Sequence, residues 1–479
     1  MRLNSFAVGL LLSVYFVLIY FPHATTALGG RGGGPVPVSD GPTVRKDERW
    51  PLVSSEFGEV SAVKISDGKN GCYYLHFITM NPCSLFLPVY LHSEMLLYVN
   101  SGNGTLSWIN VKADDDDKLQ QVVLKRGDIF RLTSETVFYL QNNVDEAHGY
   151  HLQNLQIYAI FPASEVELQN DLLAGAYTPV HDLVLGFDNR VLQSTLSVPE
   201  EVIEELRGGE NQPLIVDAQF EISASKGIRA LIGTNDIYNV ENKKKKKKKD
   251  KMKAYNVFNE DHDVDTCFGW SVVVTSEELD VLKDTNFGVF MVNLAKGSMM
   301  APHWTPDTVE IAIVLHGQGV IEVVCPGIAS ETKCENSRLM VEEGDVFVVP
   351  RAHPMAQMSY NNDSFVFMGF MLKQEKESPQ YLAGKLSILQ RLDRKVLAKS
   401  FNVRNTTIDW ILSNEKEDII YECVSCAEEG QGGESPEERG GCGGGWQEEE
   451  GGRSGRQERG RGGGGWREEE GGRGGWQAM

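Results

Sequence analysis

The sequence lacks a second long apolar run. Beyond residue 27 no stretch approaches the ~20 consecutive apolar residues that a membrane-spanning helix needs, so no span is expected after the first segment is removed. Positive charge is scarce as well: 46 Lys and Arg stand against 67 Asp and Glu, a formal net charge of −21. That balance argues against nucleic acid as the main partner and for solubility away from the isoelectric point. No HExxH helix is present to supply the zinc ligands and general base of most zinc proteases. Cys423-Val-Ser-Cys426 has the spacing of a redox or zinc pair, but no second pair completes a zinc tetrad. A disulfide in a terminal segment is the simpler reading.

What is present starts with an export signal. Arg2 precedes an apolar run from Phe6 to Phe21, and Thr25 and Ala27 are the small residues that a signal peptidase reads, so residues 1–27 are expected to be a cleaved signal peptide. The route is therefore secretory. Three sequons suit that route, at Asn103, Asn362 and Asn405, and are expected to be glycosylation sites. Disulfides are allowed there too. Cys325 and Cys334 flank a loop-like stretch between two strand-like runs and are the expected bridge. Cys72 and Cys83 are separated by an extended run too long for a bridge.

The 479 residues suffice for two or three domains, and they are organised as an internal duplication. LFLPVYLHSEMLLYVNSGNGTL and MMAPHWTPDTVEIAIVLHGQGVI share a bend, a strand and a turn, at Gly102 and Gly317. LKRGDIFRL and VEEGDVFVV repeat around Gly127-Asp128 and Gly344-Asp345. FDNRVLQSTLSV and LDRKVLAKSFNV then match as helical patterns, with Val191, Leu192 and Leu196 answering Val396, Leu397 and Phe401. An amphipathic segment follows each. Short runs of Val, Ile, Phe and Tyr between Gly, Asn and Asp turns predict an antiparallel jelly-roll barrel in each copy. The fold class is mainly β: two barrels, each followed by a helical arm whose apolar face needs a partner surface.

The expected layout is a flexible N-terminal segment at 28–49, a first barrel with its arm at 50–208, and a linker region at 209–253. A second barrel with its arm follows at 254–426, then a disordered tail rich in Gly, Glu and Arg at 427–479. The linker ends in seven consecutive lysines, Lys243 to Lys249, read as a self-repelling loop. Asp114 to Lys118 reads as a solvated hairpin loop. RGRGGGG at Arg459 is interleaved with acidic blocks, which argues against RNA binding.

One stretch carries chemistry. In PHWTPDTVEIAIVLHGQG, alternation places Glu310, Ala312, Val314 and His316 on one face of a strand, with His303 across a proline-rich bend. Two imidazoles and a carboxylate suit a divalent metal.

FGWSVVV, FGVFMVNLAKGSMMAPHW, EIAIVLHGQG and GDVFVVPRAHPMAQ resemble the cupin superfamily, specifically the vicilin-like bicupin seed storage globulins, over roughly residues 50–425. The resemblance implies two cupin barrels, arms that clasp neighbours into a homotrimer, and deposition in a storage vacuole (or outside the cell) as a nitrogen reserve. It also implies a metal motif, G-x5-H-x-H-x3–4-E-x6-G followed by G-x5-P-x-G-x2-H-x3-N. In the second barrel Gly297, His303, Glu310, Gly317, Gly344 and Pro350 keep their places. Thr305 replaces the second histidine, Ala352 a glycine and Met355 the last histidine, with His353 two residues earlier. In the first barrel Pro88 and Met95 stand where a ligand histidine and the glutamate belong, and Glu94 is one residue off, facing the other way.

The metal set implied is thus His303 and Glu310, with His316 and His353 as substitutes and zinc or copper as the ion. Cupincin-like members of the group, associated with zinc-dependent proteolysis, would place their ligands on His303, Glu310 and His316, leaving a fourth position for an activated water. A small-ligand-binding or signalling cupin is the third expectation, because a barrel without redox metal still offers a cavity.

Overall fold

The computed structural model describes residues 36–39, 41–66, 71–110, 119–142, 153–163, 175–208, 212–218, 254–326, 335–360, 362–372, 379–414 and 418–423. The expected signal peptide, Asp114 to Lys118, the lysine tract and the Gly/Glu/Arg tail lie outside the described residues.

The described chain forms four antiparallel-rich sheets, two to a barrel. In the first barrel, one sheet is centred on Cys72–Met80, Leu155–Pro162 and Met95–Ser101, and the other on Ser84–Leu91, Thr136–Asn142 and Asn103–Asn110. In the second, Phe287–Leu294, Phe365–Leu372 and Val309–His316 centre one sheet. Gln318–Val323, Met355–Ser359 and Ser298–Trp304 centre the other.

The sequence of the central strands follows from having a core on both sides. Along Cys72–Met80, Tyr74, Ile78 and Met80 join the apolar cluster inside the first barrel, while Leu75 and Phe77 join a second cluster that includes residues of both barrels. Along Val309–His316, Ala312 and Val314 enter the second barrel's interior, and Ile311 and Ile313 face that shared layer. Strands covered on both faces need apolar side chains at odd and even positions alike, which is why these runs do not alternate with polar residues.

The barrels exchange short strands. Thr43–Val44, before the first barrel, pairs antiparallel with Val346–Val349 of the second. Tyr255–Asn256, before the second barrel, pairs antiparallel with Asp128–Leu132 of the first. The duplicated Gly-Asp dipeptide locks each visitor. Asp128 Oδ1 accepts from Asn256 Nδ2 at 2.7 Å, and Asp345 Oδ1 accepts from the Lys46 backbone N–H at 3.1 Å. Arg45 adds an ion pair to Asp345. Within the segment expected to be flexible at 28–49, the described residues include the short elements Val38–Ser39, Thr43–Val44 and Lys46–Glu48. Short local sequence gave no sign of this, because the partner strand lies some 300 residues away. The expected linker likewise starts with a strand, Ile215–Asp217, hydrogen-bonded to Ser84–Leu91.

The turn glycines of the two copies share one constraint. Gly102 and Gly317 lie at φ +76° and +73°, and a Cβ on either would fall 2.5 Å from Asn154 O or 1.9 Å from Ser364 O. Both the left-handed backbone and the close carbonyl require glycine.

Each arm is a helix pair. Asp188 caps Asn189–Leu196 by accepting from Arg190 N–H, and Asp393 caps Arg394–Ser400 by accepting from Lys395 and Val396 N–H. The second helices are Glu200–Arg207 and Asn405–Ser413. The matched triplets behave alike: Leu192 and Leu397 are buried, while Val191, Leu196, Val396 and Phe401 are exposed.

Cys325 is disulfide-bonded, as are Cys267 and Cys423; Cys334, the expected partner of Cys325, lies outside the described residues. Cys83 carries a free thiol, so it does not bridge to Cys72.

Candidate functional site

The second barrel holds a cavity of about 300 Å³, open on one side, whose lining residues include His303, Thr305, Glu310, Gln357 and Tyr381. His303 and Thr305 come from and follow the strand Ser298–Trp304, Glu310 from Val309–His316, and Gln357 from Met355–Ser359. Period-two alternation brings these to one interior: Glu310 shares its face with Ala312 and Val314, and Gln357 its face with Met355.

Glu310 is buried, and among the described residues no cation pairs with it. Thr305 Oγ1 donates to its Oε1 at 3.0 Å. Burial disfavours the carboxylate and pushes its pKa up to about 7, with the Thr305 hydrogen bond opposing that shift. His303 is buried too, and burial lowers its pKa, opposed by a hydrogen bond to the Ala301 carbonyl. Its Nδ1 lies 2.8 Å from that carbonyl oxygen, which can only accept, so Nδ1 carries the proton and Nε2 of the neutral ring is an acceptor. Burial also raises the Tyr381 phenol, to about 12.

His316 does not reach this cavity. The register between Val309–His316 and Phe365–Leu372 slips between Val314, opposite Phe367, and His316, opposite Val366. The bulge ends strict alternation just before Gly317, so the expected shared face of Glu310 and His316 is not formed. His316 is exposed instead, with ring nitrogens 3.2 Å from Asp363 and 3.8 Å from Glu343. His353 sits on the turn before Met355–Ser359, with Nδ1 3.0 Å from Arg351 O, and is not part of the cavity lining.

The residues present do not fit zinc or copper. Of the implied set only His303 and Glu310 share the cavity, Thr305 spends its hydroxyl proton on Glu310, and Met355 fills the last histidine position. Among the described residues no three His, Cys, Asp or Glu side chains come together as a metal would require.

The first barrel is filled by apolar side chains. Met95 lies in its core, and Glu94 faces out to a salt bridge with Arg131 at 2.8 Å. Among its described residues the buried imidazole is His76, packed between the rings of Phe161 and Tyr177 at centroid distances of 4.8 and 5.4 Å. Its Nδ1 is 3.3 Å from the Tyr177 hydroxyl, and burial alone lowers its pKa to about 3. Sequence reasoning singled out neither His76 nor Gln357. The latter was legible in principle, two residues beyond the replaced motif histidine at Met355.

The cupin family profile matches residues 255–409. A vicilin-like seed storage protein of Arabidopsis thaliana is 44% identical over 400 residues, covering 80% of this chain and 54% of its own. The chain thus spans about half of that relative's length. A second such protein from the same plant is 42% identical over 407 residues, 80% of this chain and 75% of its own. Among solved structures, vicilin from Capsicum annuum superposes with a TM-score of 0.64 at 19% identity, covering 80% of this chain and all of that one. Vicilin from Corylus avellana gives 0.63 at 22% identity, with 80% of this chain and all of that one covered.

Proposed function

Because the chain belongs to the vicilin-like seed storage proteins of the cupin family, we propose that it is a nitrogen reserve, carried by the secretory pathway and laid down as a homotrimer in the protein storage vacuole. The observation that carries the storage reading, beside family membership, is the second barrel's incomplete donor set: the fold is kept while, among the described residues, the ligands a cupin catalyst would use are not brought together.

The trimer is supported by the arms, whose apolar residues Phe187, Val191, Leu196, Val396, Phe401 and Trp410 are exposed in the single chain. A closed ring lets each arm cover a neighbour's patch and leaves none open. Entry through the secretory route is supported by the apolar leader and by the bonded Cys267, Cys325 and Cys423. Of the sequons, Asn362 and Asn405 are exposed and Asn103 is half-buried at a strand start, so the first two are the better acceptors.

Zinc-dependent proteolysis finds no support in the placement of His316 outside the cavity. The purified protein, equilibrated with zinc and assayed on casein with and without a chelator, is expected to show no chelator-sensitive hydrolysis. Sustained hydrolysis that disappears in both His303→Ala and His316→Ala would overturn the reserve reading in favour of a metalloprotease.

A further inference from the structure

The strand that carries the first arm is held to the first barrel by two histidines. Tyr177–Pro179 pairs antiparallel with Ser84–Leu91 and runs directly into the helix Val180–Leu185, which leads to the arm's helix pair. The Tyr177 ring packs onto the barrel's core, edge-on to Phe86, Phe138 and His76 at centroid distances of 5.8, 6.3 and 5.4 Å. Its hydroxyl is 3.3 Å from His76 Nδ1. One residue on, Thr178 Oγ1 is 2.7 Å from His92 Nε2, and one residue back, Ala176 O accepts from the His92 backbone N–H at 3.1 Å. Each residue from Ala176 to Thr178 thus meets a histidine.

The surroundings of both rings keep them neutral. The titratable groups beside His76 are Tyr74, on its own strand, and Tyr177. Leu155–Pro162 adds the apolar ring of Phe161, and Lys64 of Gly58–Ser66 lies on the Tyr74 ring. Beside His92 stand Tyr90 and Thr178. On the adjoining turn and helix, Glu94 and Asp182 are engaged by Arg131 and His181, and Glu135 lies on the turn that bonds Leu91. Burial lowers the pKa of both imidazoles, that of His76 to about 3, and among the described residues no charge opposes it.

Two rings kept neutral against one short strand couple that strand to pH. Lifting Tyr177 and Thr178 away lets water reach both imidazoles, whose pKa in water is about 6.5. Below that pH the opened form takes up protons that the closed form refuses, so acid favours opening. The strand is also placed to leave by itself. It ends the strand order of its sheet, with Ser84–Leu91 as its partner, so its departure breaks no pairing between the strands behind it.

We propose that the root of the first arm, Ala176 to Pro179, is an acid-sensitive latch, closed on His76 and His92 near neutral pH and released with its helix as the two rings take up protons. The latch concerns the hold of the arm on its own barrel, so it stands whether or not the chain is a reserve and whether or not its arms clasp neighbours.

Hydrogen-exchange mass spectrometry of the full-length protein at pH 7.5, 6.5 and 5.5, corrected for the intrinsic pH dependence of exchange, tests it. Opening of a peptide spanning Ala176 to Leu185 should rise about tenfold from pH 7.5 to 5.5 for each imidazole freed, about a hundredfold in all. The central strand Leu155–Pro162 should stay protected. His92→Gln, which keeps a polar side chain for Thr178 and does not titrate, should cut the rise to about tenfold, and His76→Gln should do the same. His92 is only partly buried, so its variant decides the matter even where His76→Gln fails to fold. Opening of the wild-type root that does not change with pH overturns the proposal. So does a rise shared equally by Leu155–Pro162, which would be global unfolding, or a rise undiminished in His92→Gln.

Discussion

Replacing Glu310 with Gln should make stability, measured relative to wild type, climb with pH between 4.5 and 6.5, and replacing His76 with Gln should make it fall. The sign follows from which state holds the proton. Glu310 is raised from 4.5 to about 7 in the fold, so above pH 4.5 the unfolded chain releases a proton that the folded chain keeps. Stability from this group is full at low pH and is lost as pH rises through 7. His76 is lowered from 6.5 to about 3, so below pH 6.5 the unfolded chain takes up a proton that the folded chain refuses. Its contribution is full above pH 6.5 and is lost as pH falls toward 3.

Each slope is about 1.4 kcal/mol per pH unit, and between 4.5 and 6.5 they oppose. Wild type should therefore show little net slope from this pair. Each variant exposes the other's slope, a divergence of about 5 kcal/mol between the two variants across the window. Denaturant midpoints at several pH values, at fixed protein concentration, read this directly. Variants that run parallel to wild type would mean that neither group is buried as described.

Val396→Asp combined with Trp410→Asp should convert a trimer into folded single chains. These side chains are 63% and 69% exposed in the isolated chain, so charge there should leave each barrel's stability nearly unchanged. In the trimer the same positions would be covered, and a buried tryptophan at such an interface is worth about 2–4 kcal/mol. Burying two new carboxylates adds a larger penalty. Light scattering near neutral pH should then report three-chain mass for wild type and one-chain mass for the double variant. Wild type that stays monomeric with both arms intact would remove the case for arm-mediated assembly.

The duplication was legible because its markers are local. Gly102 and Gly317 need left-handed backbone, and Asp188 and Asp393 cap helices beginning at the next residue, so each leaves a sequence sign at its own position. The strand exchange left none. Thr43–Val44 is two residues long, and its partner strand lies in the other barrel. The candidate site divides the same way. Alternation is enough to put Glu310 inside but fails at His316, because one bulge breaks the count between them and sequence period alone carries no mark of a bulge.

The most direct measurement is the abundance of this protein in its source seed, followed by quantitative mass spectrometry from seed filling through germination. Accumulation during filling to the level of a major protein, followed by steep loss as the seedling grows, is the predicted result for a reserve. A low and constant level through both stages, or synthesis that begins only at germination, would contradict it.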